Sequence, residues 1–164
     1  MLKTISKCIK LKAYPSQKAV RLINASENVK KQFASLIDDG WCHVFAKVLL
    51  GKAIGMVFLL TNLDDKSLAD GKNVCYICNF FVQPKFRGMG MGTEIMEHIF
   101  CVAKENGFKQ MTIGVDESNE KNVRMYKKLG FTTELKKSSL DATIKDKDGN
   151  HLRTKEHLIL VKGL

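Results

Sequence analysis

A glycine-rich turn near the middle of the chain has the composition of a phosphate-binding site. Glycines alternate with methionines in Arg87-Gly88-Met89-Gly90-Met91-Gly92, and Thr93 follows. Glycines let backbone N–H groups approach an anion closely, and a helix that begins at such a turn points its positive end toward that anion. Arg87 adds a fixed positive charge. The turn therefore predicts a polyphosphate site, with an ordinary strand-to-helix loop as the alternative.

The spacing of the glycines excludes two common nucleotide sites. A dinucleotide fingerprint needs a third glycine at position 93, which is threonine, and no Walker A lysine follows. The formal charge of +10 favours anionic partners without identifying the anion. Nucleic acid is not the favoured partner, because the 8% of aromatic residues are not interleaved with a basic stripe.

A buried strand and a helix are predicted to hold this turn. Val74–Val82 is almost entirely apolar, as in a strand covered on both faces. Met91, Ile95 and Ile99 keep a helical period that ends at Gly107. Patterning elsewhere predicts strands at 7–13, 41–50, 52–61, 110–115, 132–140 and 155–162, and helices at 16–23, 26–40 and 118–129. The order β-α-α-β-β-β-α-β-α-β-β predicts one α/β domain over residues 1–164.

The cysteines, histidines and apolar runs form no recognisable site of their own. Five cysteines lack a disulfide-framework spacing and no secretion signal is recognisable, which predicts a reducing cytoplasm. Cys75 and Cys78 lie three apart in a strand and so face opposite sides, which favours structural thiols over zinc or redox chemistry. The four histidines lack a metal-ligand spacing, so no metal is expected. No apolar run reaches the roughly 18 residues of a membrane span, so no membrane partner is expected.

Two motifs in order resemble the GNAT N-acetyltransferase superfamily. The first is Arg-x-x-Gly-x-Gly after a strand ending Val82-Gln83-Pro84. In the second, Asn119 is followed seven residues later by Tyr126 and then by Leu129-Gly130-Phe131. Residues 51–55 are similar to the hairpin before the third strand of the family. The resemblance implies a mixed, mostly antiparallel sheet of six to seven strands with helices on both faces.

The resemblance also implies that acetyl-CoA donates an acetyl group directly to a primary amine, on a small molecule or a peptide that the sequence does not identify. Backbone groups of the fourth strand would hold the pantetheine arm, and the amides of the glycine turn would hold the pyrophosphate. Asn119 would bind near the pantetheine arm or cap its helix, and the Tyr126 phenol would protonate the departing thiolate. The residues assigned to acetyl-CoA are Phe80, Phe81, Val82, Arg87, Gly88, Met89, Gly90, Met91, Gly92, Thr93, Asn119 and Tyr126.

The general base is left open by the sequence. Many members of the family place a carboxylate on the fourth strand, but Val74–Val82 contains none. Asp116, Glu117 and a water chain ordered by Asn79 or by backbone carbonyls are the candidates. The missing carboxylate motivates an alternative, a non-catalytic CoA-binding regulatory module. A homodimer is also left open.

Overall fold

The computed structural model describes residues 10–164. The predicted strand at 7–13 lies partly outside the described residues, and the strand observed there is β1 (Lys12–Tyr14). The helices are α1 (Ser16–Leu22), α2 (Glu27–Asp38), α3 (Met91–Glu105) and α4 (Glu120–Lys128), with a 3₁₀ turn at Pro84–Phe86. The remaining strands are β2 (Cys42–Leu49), β3 (Lys52–Leu60), β4 (Val74–Val82), β5 (Gln110–Val115), β6 (Thr133–Lys145) and β7 (His151–Gly163).

The seven strands follow the order β1-β2-β3-β4-β5-β7-β6. β4 and β5 run parallel, whereas β1 with β2, β2 with β3, β5 with β7 and β6 with β7 are antiparallel. The register of β4 against β5 runs from Val74–Gln110 to Ile77–Ile113. These observations confirm the predicted mixed, mostly antiparallel α/β fold.

The chain divides into two compact units. The first comprises the residues up to Leu60 together with Cys78–Val102, and the second comprises Thr61–Ile77 together with Ala103–Leu164. β4 contributes its first four residues to the second unit and the rest to the first. A single domain over residues 1–164 stays a prediction.

Turn and cap chemistry confirm several of the predicted boundaries. Leu50 and Gly51 both have left-handed φ angles, 50° and 75°, as the two central residues of a tight β-hairpin require. The Ser26 hydroxyl accepts a 3.4 Å hydrogen bond from the Val29 amide, which begins α2. The predicted fourth and fifth strands match β4 and β5 residue for residue. These elements carry strong local signals, so their ends could be read from the sequence.

The closing hairpin and the exposed end of β4 depart from the predictions. β6 and β7 extend beyond the predicted strands at 132–140 and 155–162. The added residues include Ala142, Ile144 and Leu152 among polar side chains, and their register shifts between Leu140 and Lys145. β4 is buried at 75–77, but from Cys78 onward it is half-buried or exposed, so the prediction of a strand covered on both faces is wrong there. The register with β5 ends at Ile77, and Asn79 has a left-handed φ of 49°.

The core of the first unit packs α3 closely against β3 at Gly55. A β-carbon built at Gly55 would lie 2.7 Å from Ile95 Cδ1 and 2.9 Å from Met91 Sδ. Both of these α3 side chains are buried, Ile95 completely. Any larger residue at position 55 must therefore displace packed side chains.

We expect Gly55→Val to lower the free energy of unfolding by about 1 to 3 kcal/mol, because overpacking forces core side chains out of their preferred rotamers. Urea denaturation monitored by circular dichroism measures the change. Gly163→Val is the matched control: Gly163 also lies in a strand, and a β-carbon there meets nothing within 4 Å. An equal loss in both variants would show that strand propensity, and not packing against α3, sets the effect.

Candidate functional site

The glycine turn adopts a conformation that presents its backbone to solvent. Gly88 and Gly90 have φ angles of 72° and 84°, in the left-handed region that favours glycine. A β-carbon at either position would meet nothing within 4 Å, so the demand for glycine is conformational and not steric. The Glu94 amide donates to the Gly90 carbonyl over 3.0 Å, which begins α3 directly at the turn. The turn and the start of α3 therefore fit a polyphosphate group.

Two residues fix the end of β4 ahead of this turn. The Gln83 amide donates to the Ile54 carbonyl over 2.9 Å, and its side-chain Nε2 donates to the Ala53 carbonyl over 2.7 Å. Arg87 Nε donates to the Val82 carbonyl over 2.8 Å. The guanidinium thus ties the turn to the last residue of β4 while its positive charge stays exposed. The hydrogen bonds hold both ends of the segment from Val82 to Arg87.

The predicted pantetheine residues lie beside the start of α3. Phe80, Phe81 and Val82 are half-buried. A β-carbon at Gly92 would lie 3.4 Å from Phe80 Cζ and 3.7 Å from Val82 Cγ2, so both side chains pack on the first turn of α3. The structure therefore brings the predicted residues from Phe80 to Thr93 together within the first unit.

A buried ion pair at the start of α3 was missed by the sequence analysis. The Lys47 side chain is completely buried on β2, and its Nζ lies 2.6 Å from Glu94 Oε2 in the first turn of α3. Lys47 lies at a register shift between β2 and β3. A buried ammonium group is costly to remove from water unless an opposite charge meets it. In the sequence, the signal that could have revealed this ion pair was a lysine inside the largely apolar strand Cys42–Leu49.

In the second unit, Tyr126 and Asn119 lie on and before α4. Tyr126 is buried, and its ring meets the Phe131 ring edge-on with 6.1 Å between centroids. Burial raises the pKa of Tyr126 to about 12, so its phenol keeps its proton at neutral pH. Asn119 Oδ1 accepts a 3.1 Å hydrogen bond from the Asn122 amide, which confirms Asn119 as the N-cap of α4. The observed helix therefore begins at Glu120 and not at 118.

The two carboxylates considered as general bases are both engaged. Asp116 Oδ1 accepts hydrogen bonds from the Ser118 amide and hydroxyl, and Lys155 Nζ lies 3.0 Å from Asp116 Oδ2. Hydrogen bonds from Ser118 and Lys155 lower the pKa of Asp116 to about 2, which makes it a weak base. Glu117 lies 2.7 Å from Lys137 Nζ. The local geometry therefore favours neither carboxylate as a base.

The described part of the chain offers neither a metal cluster nor a membrane-spanning helix. Residues 10–164 contain no cluster of three or more histidine, cysteine or acidic side chains that could hold a metal ion. None of the helices in this range is long and apolar enough to cross a membrane. Burial raises the pKa of Cys75 to about 12, as expected of a structural thiol, whereas Cys78 is only partly buried.

Comparison with known proteins decides the family. The Acetyltransferase (GNAT) family pattern matches residues 13–131. The chain belongs to the GNAT family. A GNAT acetyltransferase from Elizabethkingia anophelis, solved with acetyl-CoA bound, is similar to this GNAT chain with a TM-score of 0.65 over 95% of this chain and 98% of that one, at 17% identity. That likeness confirms the fold.

Curated members of the family share shorter or weaker stretches with this GNAT chain. Thialysine N-epsilon-acetyltransferase from Mus musculus is 40% identical over 60 residues, 37% of this chain and 35% of the mouse protein. Glucosamine 6-phosphate N-acetyltransferase from Trypanosoma brucei brucei is 24% identical over 127 residues, 77% of this chain and 79% of that protein. The chain thus spans about a third of the length of the mouse relative and most of the trypanosome one.

We expect Glu94→Gln to lower the free energy of unfolding by about 1 to 2 kcal/mol, because the buried Lys47 ammonium loses a charged acceptor while Glu94 itself is half exposed. Urea denaturation measures the change. Glu97→Gln, one turn further along α3 and exposed, is the control and should stay within about 0.5 kcal/mol of the unmodified protein. Indistinguishable losses in the two variants would contradict a stabilising role of the pair.

Proposed function

We propose that the chain transfers an acetyl group from acetyl-CoA to a primary amine, with both substrates bound together and without a metal. The observation that carries the proposal is the left-handed glycine turn at Gly88 and Gly90, anchored to β4 and followed at once by α3. Such a turn offers a row of backbone donors and a helix N-terminus to a pyrophosphate. Family membership identifies acetyl-CoA as the pyrophosphate-bearing molecule.

The first unit supplies the groups that hold acetyl-CoA. The amides from Gly88 to Thr93 bind the pyrophosphate, and Arg87 keeps the turn in place through its bond to Val82. Backbone groups at 80–82 bind the pantetheine arm, which the half-buried state of this strand end permits. Acetyl-CoA supplies a thioester, an acetyl group already activated for transfer. The protein therefore positions the two substrates, forms hydrogen bonds with them and transfers protons.

The second unit supplies the proton donor. We assign the Tyr126 phenol to protonation of the leaving thiolate, since a phenol with a pKa of about 12 is fully protonated at neutral pH. Asn119 caps α4 and so fixes the start of the helix that carries Tyr126. The assignment of both residues to acetyl-CoA rests on the family resemblance, and the cap and the raised pKa support it.

The acceptor is proposed as an amine on a small molecule or a peptide. Two relatives are named for thialysine and for glucosamine 6-phosphate, and an Escherichia coli relative that is 41% identical over 51 residues is named a peptidyl-lysine N-acetyltransferase. The +10 charge adds a preference for acceptors that carry negative charge. Free thiols at Cys42, Cys75, Cys78 and Cys101 support a reducing compartment such as the cytoplasm.

Acetyl-CoA turnover against a panel of primary amines tests the proposal. The panel contains lysine, thialysine, glucosamine 6-phosphate, a polyamine and a lysine-containing peptide, and free thiol release reports transfer. We expect amine-dependent thiol release with at least one acceptor class. Calorimetric binding of acetyl-CoA without any turnover across the panel would instead support a non-catalytic CoA-binding module.

We expect Tyr126→Phe to lower turnover by roughly 100- to 10,000-fold, the range typical of a general acid, with little change in acetyl-CoA affinity. Steady-state thiol release and calorimetry measure the two quantities. Tyr14→Phe is the matched control, because Tyr14 is a half-buried tyrosine in β1. Equal turnover in the Tyr126 and Tyr14 variants would remove Tyr126 from the mechanism.

A further inference from the structure

We propose that His157 is the proton acceptor for the amine substrate and that the Tyr76 hydroxyl positions that amine above Gly114. This inference rests on the proposed function and concerns the base that the sequence left open. β4 carries no carboxylate, and Asp116 is held at a low pKa by its own hydrogen bonds. Neither β4 nor Asp116 therefore offers a carboxylate base, which leaves the water chain or another kind of side chain.

The strand order brings the three residues onto one face of the second unit. Tyr76 of β4 is in register with Thr112 of β5, and Gly114 lies two residues further along β5. Gly114 in turn is in register with Ile159 of β7, two residues from His157. Because side chains alternate along a strand, residues two apart face the same side. Tyr76, Gly114 and His157 therefore share a face.

Their polar atoms converge on the space that a side chain at Gly114 would fill. A β-carbon at Gly114 would lie 3.1 Å from the Tyr76 hydroxyl oxygen and 3.3 Å from His157 Nε2, with His157 Cδ2 at 3.0 Å. No positive φ accounts for a glycine here, so the close approach of these two side chains is the physical reason for it. Both polar atoms lie within 3.3 Å of one point beside the glycine, so they are close enough together for a single amine nitrogen to hydrogen-bond with both.

The hydrogen bonds of His157 set which ring nitrogen can accept a proton. His157 Nδ1 lies 3.2 Å from the Lys155 carbonyl oxygen and 3.4 Å from the Thr154 hydroxyl. A carbonyl oxygen only accepts, so Nδ1 carries the hydrogen in the neutral ring and Nε2 keeps its lone pair. The basic nitrogen is thus the one that faces Gly114.

The surroundings of this cluster suit a proton acceptor. Tyr76 is buried, so its ring is fixed, whereas His157 is half-buried and can release a proton to solvent. Gly114 directly follows the last register pair of β4 with β5, Ile77–Ile113. The family resemblance assigns the pantetheine arm to backbone groups at 80–82, which follow this pair along β4.

Charged groups on the neighbouring segments are mostly paired with one another. Lys155 of β7 pairs with Asp116, which follows β5, and Lys137 of β6 lies near Glu117 and Glu156. These pairs therefore put charges of both signs on the segments next to His157. The titratable groups that face or flank it are Tyr76, Asp116, Glu117, Lys137, Lys155 and Glu156.

The proposed step balances in protons and electron pairs. His157 Nε2 takes one proton from the protonated amine, either directly or through one water. The amine nitrogen then uses its freed lone pair to form the C–N bond with the acetyl carbon. The C–S bond breaks, and the sulfur keeps that electron pair and takes the Tyr126 proton. The second amine proton and the imidazolium proton pass to solvent, and one proton from solvent returns to the Tyr126 oxygen.

His157→Gln tests the step through the pH dependence of kcat/KM for the best amine of the panel. At pH 7 we expect a loss of about 100-fold or more, with acetyl-CoA affinity by calorimetry within twofold of the unmodified protein. Without the base, the rate follows the fraction of free amine. The loss should therefore shrink by about tenfold per pH unit as pH rises toward the pKa of the amine. His43→Gln, at an exposed histidine of β2, is the control.

Two further measurements do not depend on replacing His157. Long-range ¹H–¹⁵N spectra of the unmodified protein should show His157 as the Nδ1–H tautomer, and the Nε2–H tautomer would overturn the proposal. Gly114→Ala should lower turnover at least tenfold without loss of acetyl-CoA binding, since its methyl group would lie 3.1 Å from the Tyr76 hydroxyl oxygen and 3.3 Å from His157 Nε2 and so displace both. Gly163→Ala, with nothing within 4 Å of its β-carbon, should leave turnover unchanged.

The outcomes separate the two proposals. If the unmodified protein and the His43 variant are active and His157→Gln stays within threefold of them, His157 is not the base and the acetyltransferase function stands. A loss that is constant across pH also removes His157 as the base, because it indicates a structural role. If the unmodified protein releases no thiol with any amine, the proposed function is wrong, and the proposed role of His157 is then wrong as well.

Discussion

The fixed end of β4 is the constraint on which the glycine turn at Gly88 and Gly90 depends. Gln83 uses both its backbone amide and its side chain to hold the carbonyls of Ile54 and Ala53 on β3, and Arg87 returns to the Val82 carbonyl. Glycines at 88 and 90 have many accessible conformations. Their backbone N–H groups therefore point in a fixed direction only if the residues on either side of the turn are held in place. The hydrogen bonds of Gln83 and Arg87 thus provide the preorganisation that anion binding requires.

A second constraint acts at the other end of the turn, where α3 begins. Lys47 reaches Glu94 from inside the strand layer of the first unit, and Met91 and Ile95 pack on Gly55 of β3. The ion pair compensates a buried ammonium group, and the glycine allows the helix to approach the strand closely. Both features determine where the first amides of α3 lie. Side chains of β2 and β3 therefore help to set the geometry at the end of the turn.

Proton transfer requires different environments for the donor and the acceptor. Burial raises the pKa of the Tyr126 phenol to about 12, so the phenol holds the proton that its proposed role requires. Asp116 shows the opposite effect, because its hydrogen bonds stabilise the charged carboxylate and make it a weak base. The Lys155 carbonyl fixes the tautomer of His157 and leaves Nε2 as the acceptor. The segment Lys155–His157 inside β7 thus lowers the basicity of Asp116 and leaves His157 Nε2 as the proposed acceptor.

Local patterns predicted the features that depend on neighbouring residues: the bounds of β4 and β5, the tight turn at Gly51, the caps at Ser26 and Asn119, and the glycine turn. Long-range packing is what leaves β4 half-exposed after Ile77, buries Lys47, and brings Tyr76 and His157 together over Gly114. Residues 76, 114 and 157 are far apart along the chain. They become neighbours because β5 lies between β4 and β7, and strand order is set by long-range pairing that no local pattern records.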